Sequence, residues 1–483
     1  MMDKRLLLIV ILALAVRFAI FPFVVKDEQR MFTIGDAYEY DAIARNITEN
    51  HSFYRSEWVS YGFPLSMRSD IFFKEPFDAF RPPVYPLFLA GVYSIFGHKP
   101  YAAIIIQILL GCLACVFVYK IGEVFIQKGV GFIAGLLMAL DFPTAIYTNL
   151  LITETLFVLL CLLSVYFILK FFKEGKRAYL IYSGIFLGLS TLCRPIIQYF
   201  IILMVPLFFV VYRKEIKKGL LSCLLYILVF LVVITPWALR NYTTYGSFKL
   251  TAMSGWNLLV YNAAYLESYR QGGYDNLENV RENMKTEMDR AFIDRDIVSP
   301  FEMTQLYQEK ALEKIFAYPG SYAKIHLVGI AKIFATPTFP ISERIFGVPL
   351  DERTTHAIGK GLVTENFAKA LGNLFRFFIQ NWKALLYLPP LLLYLLFLYS
   401  MTGYGFYQII KKRDSLLIFS LCLLIVVYSV LLGGAVGVAR FRIPLMPYIN
   451  LIAGYGLFQL ILLRRKRSSL LRAQKKILLS NEP

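Results

Sequence analysis

The chain has 483 residues, of which 57% are hydrophobic and 17% charged, and its mean hydropathy is +0.56. This composition excludes a soluble globular enzyme and predicts an all-α polytopic membrane protein. The formal net charge of +18 lies mainly in short basic segments between apolar runs, as in the cytoplasmic loops of membrane proteins, so nucleic acid is not predicted as a partner.

The apolar runs, taken in chain order, predict ten crossings and one hairpin, within a range of about 10–12 transmembrane helices. With the basic segments on the cytoplasmic side, the predicted crossings alternate in direction and are residues 5–25, 84–97, 101–121, 150–172, 178–193, 196–212, 219–239, 384–404, 415–434 and 443–463. In this scheme 84–97 runs inward to Lys99 and 101–121 runs outward. The stretch 129–146 then fits no full crossing and is predicted to be a re-entrant hairpin lining a cavity.

The same pattern divides the chain into three parts. Residues 1–240 form an N-terminal transmembrane module, whose first loop is external. Residues 241–380 are more polar and predict an external, periplasm-facing insert, with charged helices around 275–316 and an amphipathic interfacial stretch at 324–348. Residues 381–483 return to membrane helices and end in a basic cytoplasmic tail.

The cysteines and histidines give no sign of a redox or metal centre. All six cysteines fall in apolar runs, which disfavours a disulfide framework, and the four histidines are widely separated. We therefore predict that no cofactor is required, although the sequence leaves a divalent metal open.

Several ionisable side chains lie at the external ends of the predicted spans. Such groups are costly near membrane depth and usually face a cavity or a partner. Arginines on this side also run against the positive-inside bias, so each is expected to meet an anion. The residues are Asp36, Asp41, Arg81, Glu154, Arg194, Arg240, Arg440 and Arg442.

This set of residue types suits sugar transfer from a polyprenyl-phosphate carrier. Arginine presents a planar fork of donors that matches phosphate oxygens. The phosphate leaving group is already an anion, so cationic stabilisation replaces general acid catalysis. A carboxylate base on the opposite side of the anomeric carbon activates the acceptor hydroxyl, which gives inversion.

An ordered set of motifs also resembles a known family. The segments GDAYEYDAIARNI, FRPPVYPLFLAGVYSIFG, LLITETLF, LGLSTLCRP, TPWALRNY and ARFRIPLMPYI follow one another along the chain. In this order they resemble bacterial glycosyltransferase family 39 of the GT-C superfamily, which includes protein O-mannosyltransferases and the lipid A aminoarabinose transferase. The resemblance covers residues 5–260 and, more weakly, 384–463.

The resemblance implies a GT-C fold, a polyprenyl-phosphate sugar as donor and three site residues. The catalytic base of the first external loop maps on Asp36, a second acid on Glu154, and the basic residue before the Pro-Pro pair on Arg81. Ala37 follows Asp36 where the mannosyltransferases carry an Asp-Glu pair, and Phe80 precedes Arg81 where the aminoarabinose transferases carry Glu. Neither branch therefore fixes the sugar or the acceptor.

The remaining candidates are assigned from their positions. Arg194 and Arg240 are expected to bind phosphate or acceptor, and Arg440 and Arg442 to bind the carrier phosphate as a pair sharing one face. Tyr40 is expected to line the site. Glu39 and Asp41 are expected to be solvated or to start a helix.

The preferred function is an inverting glycosyltransferase at the outer face of a bacterial cytoplasmic membrane, with the active site facing the periplasm or exterior. Its predicted partners are a polyprenyl-phosphate sugar donor, membrane lipids and a glycolipid, polysaccharide or protein acceptor. A transporter or lipid flippase is one alternative, although the paired halves typical of transporters are absent from the sequence. An O-antigen ligase or polymerase with a diphosphate-linked donor is the other alternative.

Overall fold

The computed structural model describes residues 3–26, 31–32, 35–54, 78–273, 276–297, 299–335, 372, 379, 382, 384–413 and 415–480, and these are helical wherever they form regular secondary structure. The described helices are α1 (Lys4–Val25), α2 (Gly35–Asn50), α3 (Val84–Phe96), α4 (Pro100–Ile121), α5 (Val130–Ala139), α6 (Phe142–Thr148), α7 (Glu154–Glu174), α8 (Arg177–Cys193), α9 (Phe200–Val211), α10 (Ile216–Tyr245), α11 (Met253–Trp256), α12 (Ala264–Arg270), α13 (Leu277–Asp294), α14 (Pro300–Ala317), α15 (Pro319–Ala335), α16 (Ala384–Lys412), α17 (Leu416–Leu432) and α18 (Met446–Ser480). The predicted all-α architecture is confirmed.

Six of the described helical stretches are long and apolar enough to cross a membrane. They are Lys4–Val25, Pro100–Ile126, Glu154–Glu174, Ile216–Tyr245, Leu388–Lys412 and Ala439–Arg472. Shorter apolar helices of 10–17 residues occupy Val84–Phe96, Arg177–Cys193, Pro195–Val211 and Leu416–Leu432. The chain is a multi-pass membrane protein.

Contacts between helix ends define two opposite ends of the bundle. The hydroxyl of Tyr119, near the end of α4, donates to the carboxylate of Asp3, which precedes α1. Lys173 Nζ, near the end of α7, donates to the carbonyl of Val124, 3.0 Å away. We call this the basic end, because the basic segments next to α1 and α7 lie there. The other end, where α7 begins and α8 finishes, is the site end.

This arrangement corrects the expected direction of two predicted crossings. Arg81 precedes α3 and pairs with Asp36 of α2, while His98 follows α3 and contacts Asp41 of the same helix. Both ends of α3 therefore lie against α2, so the expected inward crossing at 84–97 is wrong.

Helix α4 runs from the site end to Tyr119 at the basic end, opposite to the predicted direction. A single lysine, Lys99, misled the prediction because one charge is a weak indicator of topology.

The hairpin expected at 129–146 is also corrected. Helices α5 and α6 are bent by 58° at the break between them. The segment starts at the basic end, where Glu123 accepts from the amide of Gly129 at 2.8 Å, and it leads to Thr153 at the site end. Asp141 causes the break, because its Oδ1 caps the amide of Thr144 at 3.3 Å and starts a new helix. The segment is thus a bent crossing, which restores the alternation of directions that the absent crossing at 84–97 removes.

Close glycine contacts fix helix α18, which begins just after the Arg440 segment. A Cβ atom on Gly456 would lie 2.3 Å from the carbonyl oxygen of Met401 in α16, and one on Gly405 would lie 2.3 Å from that of Ile452. Small residues let membrane helices approach this closely, and the resulting packing replaces the hydrophobic driving force that lipid removes. Helix α18 therefore packs closely against α16.

The described part of the polar insert forms its own small core at the site end. The predicted charged helices are confirmed as α13 and α14, and Trp256, Met288 and Tyr307 are buried between the insert helices. The amphipathic stretch predicted at 324–348 is helical as far as Ala335, and residues 336–348 lie outside the described residues.

Candidate active site

Asp36 and Glu39 bind one arginine from a different part of the chain. Arg81 Nη2 donates to Asp36 Oδ1 at 2.8 Å, and Arg81 Nε donates to Glu39 Oε2 at 2.6 Å. Both carboxylates lie on the first turns of α2, three residues apart, so they share one face of that helix. Glu39 was expected to be solvated or helix-starting, but its side chain is only 15% exposed and belongs to this ion pair.

A second arginine joins Asp36 to Glu154. Arg440 Nη1 donates to Asp36 Oδ2 at 2.7 Å, and Arg440 Nε donates to Glu154 Oε1. Arg194 Nη1 also donates to Glu154 Oε1 and lies 3.3 Å from the hydroxyl of Thr153. The ion pairs form one continuous series, which we call the charge cluster: Glu39, Arg81, Asp36, Arg440, Glu154 and Arg194.

Local sequence explains how each arginine is held. Asp78 Oδ1 accepts from the amides of Phe80 and Arg81 at 2.7 and 2.8 Å, so an Asx turn fixes the backbone before the Pro-Pro pair. Arg194 ends α8 in an extended conformation because Pro195 follows it. Arg440 lies in the 3₁₀ turn Ala439–Leu445 that leads into α18.

Exposure separates the roles of the two acids that Arg440 joins. The side chain of Glu154 is fully buried, whereas that of Asp36 is 27% exposed. Glu154 begins α7, where a carboxylate interacts favourably with the helix dipole, and it holds two arginines in place. Asp36 is therefore the carboxylate of this pair that a substrate can reach.

The arginines also set the ionisation of Asp36. Burial acts to raise the pKa of this carboxyl, but the guanidinium groups of Arg81 and Arg440 outweigh it and hold the pKa well below the ordinary value of 3.8. Burial lowers the pKa of Arg81, while Asp36 and Glu39 outweigh it and raise this pKa well above its ordinary value. Both partners therefore stay charged at neutral pH.

Tyr40, which was predicted to line the site, packs against Arg81 of the charge cluster. Its ring is 5.2 Å from the guanidinium carbon of Arg81 and meets Tyr85 edge to face at 4.9 Å. Burial raises the pKa of Tyr40 to about 12, so its hydroxyl stays protonated.

Asp41 points away from the charge cluster, because Tyr93 donates to it at 2.6 Å and His98 lies 2.9 Å away. The expectation that Asp41 is solvated is wrong, since it is buried between α2 and α3.

Two predicted phosphate ligands make contacts of a different kind. Arg240 donates to the carbonyl of Asp78 at 2.9 Å and stacks on Trp237 at 4.7 Å. Arg442 is fully buried and donates to the carbonyl of Phe334 at 2.8 Å. The described contacts of these arginines thus fasten loops to helices, and they do not extend the charge cluster.

The cluster carries its positive charge on arginine. Each of its three carboxylates is paired with at least one guanidinium group, and no group of three potential metal-ligating side chains occurs among the residues that the structure covers. Charges and donors at fixed positions can stabilise a phosphate oxyanion without reorganising during a reaction. The expectation that no metal is required stays a prediction.

A comparison with known families matches the segment that carries half of this cluster. Residues 80–239 match the family described as dolichyl-phosphate-mannose-protein mannosyltransferase. The matched segment contains Arg81, Glu154 and Arg194. The resemblance inferred from the motifs is therefore confirmed over these residues, which make up about a third of the chain. No curated protein matches the sequence significantly.

Solved structures similar to this chain come from two kinds of enzyme. The oligosaccharyltransferase AglB from Archaeoglobus fulgidus, in complex with an inhibitory peptide and a dolichol-phosphate, is 14% identical with a TM-score of 0.48; the match covers 98% of this chain and 52% of AglB. ArnT from Cupriavidus metallidurans, bound to undecaprenyl phosphate, is 14% identical with a TM-score of 0.37, over 95% of this chain and 78% of ArnT. The chain thus spans about half the length of the archaeal enzyme.

Proposed function

We propose that this protein is an inverting glycosyltransferase that moves a sugar from a polyprenyl-phosphate carrier to an acceptor at the outer face of a bacterial cytoplasmic membrane. The observation that carries the proposal is the position of Asp36, a partly exposed carboxylate held between Arg81 and Arg440. The family match over residues 80–239 supports the reaction class. It gives no support to a transporter.

The balance of charges indicates how the donor enters. The charge cluster contains three arginines and three carboxylates, so a phosphate that binds there competes with the carboxylates for the guanidinium groups. Asp36 is more exposed than Glu39 or Glu154. We therefore infer that the donor phosphate takes the place of Asp36 on Arg440, which leaves Asp36 free to accept a proton.

The reaction then needs only groups that this chain supplies. The acceptor hydroxyl oxygen attacks the anomeric carbon and forms the new glycosidic bond. Its proton passes to the Asp36 carboxylate, and the bond from the anomeric carbon to the phosphate oxygen breaks on the opposite side. The polyprenyl phosphate leaves as an anion stabilised by Arg440 and Arg194. Attack opposite the leaving group inverts the configuration.

The two ends of the bundle support this orientation. The basic end carries the segments next to Lys4 and Lys173, which the positive-inside rule places in the cytoplasm. The site end then faces the periplasm or exterior. The acceptor is a glycolipid, a polysaccharide or a protein.

A deletion strain tests the proposal. Mass analysis of its cell-envelope glycans should show one component that lacks a sugar, and the wild-type gene should restore that sugar. The gene for Asp36→Asn should not restore it, although the variant protein reaches the membrane in equal amount. An unchanged glycan profile, together with purified protein that does not bind undecaprenyl phosphate, would overturn the proposed function.

A further inference from the structure

The polar insert touches the loop that leads to Arg440. This loop, Gly433–Val438, joins α17 to the 3₁₀ turn of Arg440, and we call it the arginine loop. Asn262 of the insert accepts from the amide of Ala435 in this loop, at 3.1 Å. Two residues further along the loop, Gly437 lies against Gly329 of α15. The insert therefore holds the arginine loop at two neighbouring points.

These contacts are too close to arise from loose packing. Gly434 has φ of +66° and Gly437 has φ of +48°, in the left-handed region that favours glycine. A Cβ atom on Gly434 would lie 2.3 Å from Asn262 Oδ1, and one on Gly437 would lie 2.0 Å from the carbonyl oxygen of Gly329. The arginine loop thus takes a backbone course that lets the insert approach it directly.

Asn262 is itself held firmly. Its Nδ2 donates to the carbonyl of Asn257 at 3.1 Å, across the π-helical turn Asn257–Ala263. Its Oδ1 also accepts from the hydroxyl of Tyr322 on α15, at 3.2 Å. The side chain therefore connects two insert helices to the arginine loop. π-Helical turns are rare and frequently occur at functional sites.

The residue before Asn262 is Tyr261, whose surroundings link this turn to the charge cluster. Tyr261 is 38% exposed, and the Arg281 guanidinium lies 5.2 Å from its ring. Burial raises the pKa of the Tyr261 hydroxyl, and the charge of Arg281, followed by those of Asp36, Arg81 and Arg440, also acts on it. The π-helical turn therefore stands within electrostatic range of the reacting groups.

We propose that Asn262 is a positioning residue, which fixes Arg440 for binding the donor phosphate by anchoring the arginine loop to the insert. This inference rests on the proposed function. Arg440 is five residues beyond Ala435, and the contact of Gly437 with Gly329 of the same insert lies between them. When the Asn262 anchor is lost, the loop gains freedom, and Arg440 must lose that freedom again to bind phosphate.

A double-mutant cycle tests the proposal, with undecaprenyl phosphate as the probe and the purified full-length protein. Asn262→Ala should weaken binding of undecaprenyl phosphate by about fivefold or more. Asn262→Asp keeps the oxygen that accepts from Ala435 and should retain most of the affinity. Asn283→Ala, an exposed residue of the same insert, is the matched control and should bind as the wild type does.

The cycle separates positioning from a general loss of stability. In the background Arg440→Ala, the substitution Asn262→Ala should cause little further loss, because the group that it positions is gone. In the background Arg194→Ala, its effect should persist. Equal effects of Asn262→Ala in both backgrounds, or wild-type affinity of Asn262→Ala, would overturn the proposal.

A second measurement does not depend on the ligand. Hydrogen exchange of the segment from Gly433 to Leu445 should be faster in Asn262→Ala than in the wild type. In the control Asn283→Ala it should be unchanged. Failure of the wild-type protein to bind undecaprenyl phosphate would count against the proposed function, whereas unchanged exchange in Asn262→Ala would count against the anchor.

Discussion

Arg440 Nη1 lies 2.7 Å from Asp36 Oδ2, although 404 positions separate the two residues along the chain. The same guanidinium group also donates to the buried carboxylate of Glu154. Arg440, in the turn before the C-terminal helix α18, thus completes a site whose other members come from the first part of the chain. The matched family segment, residues 80–239, includes neither Asp36 nor Arg440.

Replacing Asp36 tests the base. Asp36→Asn removes the proton acceptor but keeps a side chain of the same size, so we expect transfer to fall by about 10²–10⁴-fold. Binding of undecaprenyl phosphate should be retained, because the arginines remain. Glu49→Gln, on the exposed end of the same helix, is the control and should transfer sugar normally. Near-normal transfer by purified Asp36→Asn would show that another group is the base.

Arg440 and Arg442 should behave differently despite their proximity in sequence. Arg440→Ala removes a donor from the cluster and should weaken binding of undecaprenyl phosphate by about tenfold or more. Arg442→Ala removes donors to the carbonyls of Ile333 and Phe334. We expect it to lower the melting temperature in detergent while leaving the affinity nearly unchanged. Equal loss of affinity in both variants would instead support the paired clamp predicted from the sequence.

The sequence was enough to predict that distant ionised residues gather at one end of the bundle. It located Asp36, Arg81, Glu154, Arg194 and Arg440 because a charge at the end of an apolar run is costly without a partner. The sequence does not show which way such a side chain points. Arg442 therefore looked equivalent to Arg440, yet residues two apart on a 3₁₀ turn do not share a face.

Glu39 was missed for a different reason. It lies three residues after Asp36, and on a helix this spacing places two side chains on one face. That signal was present, but a polar segment without apolar periodicity gives little reason to expect a buried helical face.

The topology error at 84–97 has a related cause. Helix α3 is as apolar as a membrane-spanning helix, and only its contacts with α2 show that it does not cross.

Arg240 provides a test of a structural role. It ties the end of α10 to the backbone of Asp78, which in turn fixes the amide of Arg81. Arg240→Ala should lower the melting temperature in detergent, consistent with the loss of about 1–3 kcal/mol when a charged hydrogen bond is removed. Arg240→Lys should recover part of the loss. A variant with unchanged stability but weakened binding of undecaprenyl phosphate would show that Arg240 contacts the donor directly.

The corrected topology is open to labelling. Lys99→Cys should react with a membrane-impermeant maleimide from the same side of oriented vesicles as Asn50→Cys, because α3 begins and ends against α2. Arg413→Cys, next to the basic end, should react only from the opposite side. The wild-type protein, whose described cysteines are buried or half-buried, provides the background. Labelling of Lys99→Cys from the side of Arg413→Cys would restore the crossing at 84–97.

The low pKa of Asp36 predicts a specific dependence of stability on pH. The pKa in the folded protein is below the ordinary value of 3.8, so the ionised carboxylate stabilises the fold at neutral pH. This contribution is complete above about pH 5 and is lost as the pH falls through the folded pKa.

The difference in melting temperature between wild type and Asp36→Asn should therefore stay constant from about pH 7 to about pH 5 and shrink toward about pH 3. Acidic groups outside the charge cluster titrate alike in both proteins and cancel, whereas Glu39 and Glu154 share arginines with Asp36 and contribute to the difference. A difference that does not shrink at acid pH would show that the ion pairs with Arg81 and Arg440 contribute nothing to the fold.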